Sequence, residues 1–281
     1  MEKRITIIGT GLIGGSLAIQ LREKGMASKL IGVDNNSEHA KRAKELNLVD
    51  EILSLDDAIR QSDVIVIAIP VDKMIGLLPK ILDRIEDQIV LDVGSTKQQL
   101  LNEVQDHPKR GRYVSTHPMW GTEYSGPEAA VKGAFENTAV VICNEEESDM
   151  DAVQWVKSMY KKIGMHLLNM NAVDHDVHTA YISHISHITS FALANTVLEK
   201  EKEEDAIFEL ASAGFASTVR LAKSNPAMWV PIFMQNRENI LDVLNEHISQ
   251  LRKFKACLEK ENYEYLEELI VNANKIKKII K

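Results

Sequence analysis

The sequence predicts an α/β protein in two parts: a doubly wound, mainly parallel sheet over residues 1–170, and an all-helical domain over 171–281. Three observations predict this. At roughly 100–200 residues per domain, a chain of 281 residues makes two domains. Up to about residue 170, short β-branched apolar runs alternate with helix-length amphipathic segments, the pattern of a sheet with helices on both faces. After Asn171 the strand signals stop. Helical periodicity, with short breaks such as Ser224-Asn225-Pro226, then continues to a lysine-rich end.

The runs at 5–8, 30–33, 64–69, 89–93, 113–116, 139–142 and 165–168 are too short for helices and read as strands. Several lack polar alternation, as expected when a parallel sheet is covered on both sides. Apolar residues make up 44% of the chain, enough for a packed core, which sets aside disordered and fibrous classes. Thirty-three Lys and Arg against 41 Asp and Glu leave a net charge of −8, not the electrostatic footprint of a nucleic-acid or anionic-membrane binder. Cys143 and Cys257 are far apart and form no C-x-x-C, so neither a disulfide framework nor a cysteine zinc site is expected, and a reducing cytoplasm fits.

Two stretches mimic targeting segments. Lys3 and Arg4 precede an apolar run over 5–21 that copies a signal peptide, but glycines at 9, 11, 14 and 15 break it into a strand and a turn. The 22 residues 177–198 carry no formal charge and have the length of a membrane span, yet ten of them are His, Ser, Thr or Asn. A buried helix in a soluble core accounts for them better.

The run Gly9-Thr10-Gly11-Leu12-Ile13-Gly14 follows the first strand and opens a helix, and Asp34 ends the next strand 20 residues after Gly14. Gly9 permits the tight turn, Gly11 lets backbone approach a pyrophosphate, and Gly14 lets helix and strand pack closely. The backbone of Gly9, Gly11, Leu12, Ile13 and Gly14 is therefore expected to hold a dinucleotide, with free helical N–H groups facing its phosphates. Asp34 should accept bonds from the adenosine ribose and repel a 2′-phosphate. With Asn35 and Asn36 after it rather than Arg or Lys, NAD is expected over NADP, on a Rossmann-type sheet.

Beyond the fourth run lies Gly94-Ser95-Thr96-Lys97, at the strand ends where parallel sheets form their ligand crevice. Ser95, Thr96 and Lys97 are candidates for contacts near the nicotinamide and an anionic substrate, or else for an ordinary helix cap. The next run ends at His117-Pro118. A residue before proline is pushed to extended geometry, so His117 sits at a strand end facing the same crevice. Histidine is suited to accept a hydroxyl proton near neutral pH.

Histidines 175, 178, 184 and 187 suggest a metal cluster, but at about 100° per residue they spread too widely on one helix to converge. The same projection groups Asp176, Ser183, His187 and Ser190 into a polar stripe without Lys or Glu, read as one wall of a pocket. Val177, Tyr181, His184, Ile188 and Phe191 fall on an apolar face. Further on, Asn225 and Pro226 mark a helix start, and Arg220 precedes that break.

Taken in order, these pieces carry a resemblance. The glycine loop with Asp34, G-S-x-K at 94–97, H-P-x-x-G-x-E at 117–123, H-D at 175–176, S-H-x-x-H at 183–187 and G-F…R-x-A at 214–222, with Pro226 and Trp229, span nearly the whole chain. Together the chain resembles the prephenate dehydrogenase family of tyrosine biosynthesis. The resemblance implies NAD-dependent oxidative decarboxylation of prephenate to 4-hydroxyphenylpyruvate, CO2 and NADH, with arogenate as the alternative substrate. It implies that His117 bonds the ring hydroxyl, that Ser95 orients His117 and that hydroxyl, and that Arg220 holds the ring carboxylate. It places Thr122, Glu123, His187 and Trp229 around the substrate, and a homodimer through the helical domain. The family's usual residues before Gly214 and between Phe215 and Arg220 are replaced by Ala211-Ser212-Ala213 and Ala216-Ser217-Thr218, which bears on side-chain selectivity. Other readings are a β-hydroxyacid dehydrogenase, which would prefer a lysine in the helical domain, and a non-catalytic NAD sensor, which needs neither His117 nor Arg220. With no α+β module after the helices, any tyrosine inhibition is expected at the active site or the dimer interface. Since the substrate is a dianion, Arg220, His187 and Lys97 are expected to make a positive pocket within an acidic protein.

Overall fold

The computed structural model describes residues 2–202 and 207–279. Its strands are β1 (Lys3–Ile8), β2 (Ala27–Val33), β3 (Glu51–Ile52), β4 (Val64–Ile67), β5 (Ile89–Asp92), β6 (Tyr113–Pro118), β7 (Ala139–Cys143) and β8 (His166–Met170). Among the described residues they form one eight-stranded sheet in the order β3-β2-β1-β4-β5-β6-β7-β8. All neighbours are parallel except β6 and β7, where Ser115 lies opposite Cys143 in an antiparallel ladder. Every expected run overlaps a strand, although those at 64–69, 89–93 and 165–168 extend one or two residues beyond β4, β5 and β8. The strand that patterning did not disclose is β3, whose two residues pair Glu51 and Ile52 with Ile31 and Gly32 and are too few to carry a period.

The helices are α1 (Leu12–Glu23), α2 (Ser37–Glu45), α3 (Leu55–Gln61), α4 (Val71–Arg84), α5 (Gln98–Val104), α6 (Met150–Ile163), α7 (Ala172–Thr179), α8 (Ile185–Glu201), α9 (Ala213–Thr218), α10 (Pro226–Gln235), α11 (Arg237–Glu259) and α12 (Tyr263–Ala273). Local chemistry sets many of their ends. Asn36, Ser54, Asn171 and Asn225 each accept a backbone N–H of the helix they precede, satisfying donors that have no partner within the helix. Pro226 occupies the first turn of α10, where its missing N–H costs nothing. At the other end of α6, Gly164 takes φ +98°, a left-handed cap that L side chains resist.

Alternate residues of the central strands feed two cores. Val64, Val66 and Leu91 pack with Leu17 and Leu21 of α1 and Val156 of α6, whereas Ile65, Ile67 and Val90 pack with Leu78 and Leu82 of α4 and Leu101 of α5. Burial on both faces explains why these strands read as continuous apolar runs. Trp229 and Ile232 of α10 join the second core.

Contacts divide the chain into two compact units, Met1–Asn236 and Arg237–Lys281. In the second, α11 and α12 pack on each other, and Asn262 caps α12 through Tyr265 N–H.

One expectation is corrected. The histidine-rich segment is not one regular α-helix, because α7 passes through a π turn at Ala180–His184 before α8 begins. A π turn holds more residues per turn, so a projection at a constant angle loses phase beyond it. His184 is buried and Tyr181 exposed, so the two do not share an apolar face. The buried positions are Ala172, His175, Asp176, Thr179, Ala180, His184 and Ser190. Among the described residues, no group of His, Cys, Asp and Glu is placed to hold a metal, and no helix is long and apolar enough to cross a membrane.

Candidate active site

Parallel strands bring β1, β4, β5 and β6 to a common carboxyl-end edge, and both halves of the site are built there. The glycine loop leaves β1 at Gly9, whose φ of +90° fits glycine; a Cβ there would lie 2.4 Å from the Ala68 carbonyl oxygen. A Cβ on Gly14 would lie 2.0 Å from the Gly9 carbonyl oxygen, so helix and loop touch without room for a methyl group. At Gly11 the nearest atom to such a Cβ is Gly126 N at 4.0 Å, which leaves the backbone open. Gly11 is also the N-cap of α1 and has no side-chain capping bond, so the first N–H groups of α1, beginning at Leu12 and Ile13, remain available to a phosphate. Asp34 follows β2 and accepts bonds from Thr10 N–H and Oγ1–H, both 2.9 Å, and from Asn36 N–H at 3.0 Å. The carboxylate thus pins the glycine loop, through Thr10, in a shape that fits a dinucleotide.

His117 is the penultimate residue of β6 and is 9% exposed. Its Nδ1 lies 2.8 Å from Nε2 of His175 on α7, and His175 Nδ1 lies 2.7 Å from Asp176 Oδ1. Asp176 also accepts the backbone N–H of Lys97 at 2.9 Å and of Gln98 at 3.0 Å, which ties α7 to the start of α5. Burial pushes the His117 pKa well below the ordinary histidine value, with His175, Lys97 and His184 adding to the effect. The ring is therefore neutral and able to accept a proton at physiological pH.

Lys97 is corrected from substrate contact to internal strut. It is fully buried, and its Nζ donates to the buried Asp92 carboxylate and, at 2.7 Å, to the Thr116 carbonyl. Asp92 further accepts Gly94 N–H at 2.8 Å, Tyr113 OH at 2.7 Å and Thr116 N–H at 3.2 Å. A buried ammonium needs such a partner, and this one commits the lysine to joining β5 and β6. Thr96 bonds Gln235 Oε1 at 2.5 Å. Among the described residues Ser95 makes no side-chain hydrogen bond, and the bond from His117 goes to His175 instead.

A second wall runs from His184 to Glu123. Burial lowers the His184 pKa to about 4, and this neutral ring shares Asn236 Nδ2 with the Asp176 carbonyl. His184 meets Trp229 edge-on, and Trp229 stacks on His187 with ring centroids 3.4 Å apart. His187 Nδ1–H donates to the Ser183 carbonyl at 3.1 Å. Its pKa is lowered, first by burial and further by the charge of Arg220, so His187 is corrected from cation to neutral ring. Arg220 lies in a 3-10 turn after α9, and its guanidinium donates to Glu123 Oε2 at 3.0 Å. Glu123 is held below the usual carboxylate range by its own backbone N–H, with Arg220 assisting against desolvation. Thr122 Oγ1 accepts the Tyr124 N–H at 3.2 Å and shapes the turn that carries Glu123. The buried Trp229 Nε1 has no hydrogen-bond partner among the described residues.

The fold therefore joins Glu123 to Arg220 and His187 to Trp229, leaves Ser95 without a side-chain bond among the described residues, and withdraws Lys97. His175 and Asp176 stood in the sequence as an H-D pair, but nothing there linked them to His117 across 58 positions. Thr10, inside the glycine motif, gave no sign of bonding Asp34.

Residues 17–169 match the family model described as prephenate dehydrogenase, nucleotide-binding domain, and residues 171–272 match prephenate dehydrogenase, dimerization domain. A curated relative, a prephenate dehydrogenase of Bacillus subtilis, is 32% identical over 95% of this chain and 73% of its own length. A solved structure of prephenate dehydrogenase from A. aeolicus with hydroxyphenyl propionate and NAD+ is 29% identical, covers 98% of both chains and superposes with a TM-score of 0.87. Synechocystis arogenate dehydrogenase is 26% identical over 99% of this chain and all of its own, with a TM-score of 0.78. With both family models matching in sequence order, and with the cradle and the buried histidine where they fall, the chain belongs to the prephenate dehydrogenase family of NAD-dependent oxidoreductases.

Proposed function

We propose that this chain oxidises and decarboxylates prephenate in tyrosine synthesis, with residues 1–170 holding NAD and residues 171–281 supplying substrate contacts and the homodimer contact, in the cytoplasm. The observation that carries this reading is a buried, neutral His117 on the same strand-end edge as an open glycine cradle. Prephenate is favoured over arogenate because B. subtilis and A. aeolicus prephenate dehydrogenases are more similar to this chain than the arogenate enzyme is.

His117 Nε2 takes the proton of the ring C4 hydroxyl, which becomes more acidic as the C4 hydrogen leaves with its electron pair. NAD, when bound, supplies the acceptor for that hydride. Breaking the bond between C1 and its carboxylate then releases CO2 and makes the ring aromatic, and the phenolate oxygen recovers the proton from His117. Arg220 suits the carboxylate because a planar guanidinium fixes its orientation through paired hydrogen bonds. Glu123 holds that guanidinium. Ser95, whose hydroxyl makes no bond among the described residues, contacts the substrate hydroxyl in this reading, while Thr122, His187 and Trp229 line the side chain.

Arogenate is the second reading, and one observation favours it. With Nδ1–H on Ser183, neutral His187 keeps an accepting Nε2, which suits an ammonium better than a keto group. Prephenate-dependent NADH formation tests the main reading, and kcat/KM for the two substrates separates them. A higher value for arogenate would reverse the assignment.

A further inference from the structure

We propose that His175 and Asp176 are positioning residues of the reaction: they hold His117 as its Nδ1–H tautomer and share the proton that its Nε2 receives. The inference rests on His117 being the base. It follows from counting donors and acceptors along one buried chain.

The Asp176 carboxylate accepts from Lys97 N–H, Gln98 N–H and His175 Nδ1, and an ionised carboxylate has only acceptors to offer. His175 Nδ1 must therefore carry a hydrogen. In a neutral imidazole the other nitrogen is then an acceptor, so the 2.8 Å bond between the rings is donated by His117 Nδ1. Only Nε2 of His117 is left with a free lone pair, as a base requires. His175 is 1% and Asp176 3% exposed, so water does not compete for these bonds. Asp176 is itself fixed by two backbone donors of another element, which makes it a rigid anchor for the whole arrangement.

The same chain deals with the arriving charge. When the hydroxyl proton reaches Nε2, His117 becomes an imidazolium whose Nδ1–H points at His175 Nε2. Moving that hydrogen across leaves His117 neutral and puts the charge on His175, against Asp176. No bond to carbon changes, and the proton returns along the same path when the phenolate forms. The groups facing the two rings are Asp176 from α7, Lys97 before α5, Asp92 from β5 and His184 from the π turn. Lys97 and His184 oppose a positive charge, and Asp92 is committed to Lys97. Asp176 is the group that favours it directly, against burial that disfavours it.

Three variants test the proposal, with kcat and KM for prephenate measured against pH at saturating NAD. His175→Phe breaks both bonds and is expected to lower kcat ~10²–10³-fold while KM stays within about twofold. His175→Gln can still accept from His117 Nδ1–H and donate to Asp176, but it cannot hold a proton, so it should recover part of that loss. Asp176→Asn removes the charge that stabilises the protonated pair, so the acidic limb of kcat/KM should move to lower pH. Nitrogen-15 NMR of histidine-labelled NAD-bound enzyme should show His117 protonated at Nδ1, a readout that stands even if His175→Phe does not fold. Wild-type kcat in His175→Phe would overturn the proposal, as would an Asp176→Asn loss that is equal at every pH, or His117 protonated at Nε2 in the resting enzyme. Failure of the proposed prephenate activity would look different, because the wild-type chain would then form no NADH from prephenate.

Discussion

At the scale of single residues, the proposed chemistry turns on one nitrogen. His117 Nε2 is left as a base because Nδ1 is already engaged, and burial keeps the ring neutral. Replacing it by asparagine keeps a polar side chain but removes the base. His117→Asn is accordingly expected to lower kcat ~10²–10⁴-fold with KM for prephenate nearly unchanged, as steady-state kinetics would show. Arg220 calls for a different outcome. Its side chain is about half exposed and bonded to Glu123 rather than sealed in the core, so the recognition role proposed for it would be of moderate worth. Arg220→Ala should raise KM roughly tenfold to a hundredfold, equivalent to about 1.5–3 kcal/mol for one charge-assisted hydrogen bond, with a smaller change in kcat. An unchanged KM would remove Arg220 from the substrate site. Both residues were legible as motif members. What the motif could not disclose was their partners: Glu123 precedes Arg220 by 97 positions and His175 follows His117 by 58.

At the scale of elements, the sheet and its helices were legible because their causes are local. Apolar runs of four to six residues became β1, β4, β5 and β6, the asparagine caps fell where helices begin, and the glycine loop turned where Gly9 stands. The exceptions have local causes too. β3 is too short to show a period, and the π turn before α8 breaks the projection that the histidine-rich segment invited. Lys97 shows an element-scale role hidden in a motif, since its ammonium ties β5 to β6 through Asp92 and the Thr116 carbonyl. Lys97→Met leaves Asp92 as a buried anion without its cation, and should destabilise the fold by about 3–5 kcal/mol in chemical denaturation. Adding Asp92→Asn should recover much of that loss; if the single variant unfolds at the wild-type midpoint, the strut has no energetic role.

At the scale of the whole molecule, three buried histidines and the half-buried His187 set the response to acid. Burial lowers the pKa of His117, His175, His184 and His187, with His184 at about 4, so each binds protons less readily folded than unfolded. From about pH 6.5 downward the unfolded chain takes up protons that the folded chain refuses, and stability therefore falls as pH falls. The Tm should drop steadily between pH 7 and about pH 4.5, and His184→Gln should flatten part of that slope; a Tm independent of pH over that range would contradict it. The second unit carries exposed Leu251, Leu258, Ile270 and Val271, more apolar surface than a solvated helical pair needs. Together with the match to a dimerization domain, this supports a homodimer. Sedimentation equilibrium should give twice the 31.5 kDa chain mass at micromolar concentration, and a monomer would reject it.

The sequence by itself determined the class of protein. A glycine loop at the right distance from Asp34, strand-length apolar runs and an ordered set of motifs each depend on residues close together in the chain. The net charge of −8 excluded a polyanion footprint but could not say which cations meet a dianionic substrate. Only the tertiary structure decided how those groups are paired. It spent Lys97 on Asp92, left His187 neutral against Trp229, kept Arg220 as a cation paired with Glu123, and set His117 on His175 and Asp176. The physical reason is that protonation and pairing depend on burial and on neighbours from distant strands and helices, which no local pattern encodes.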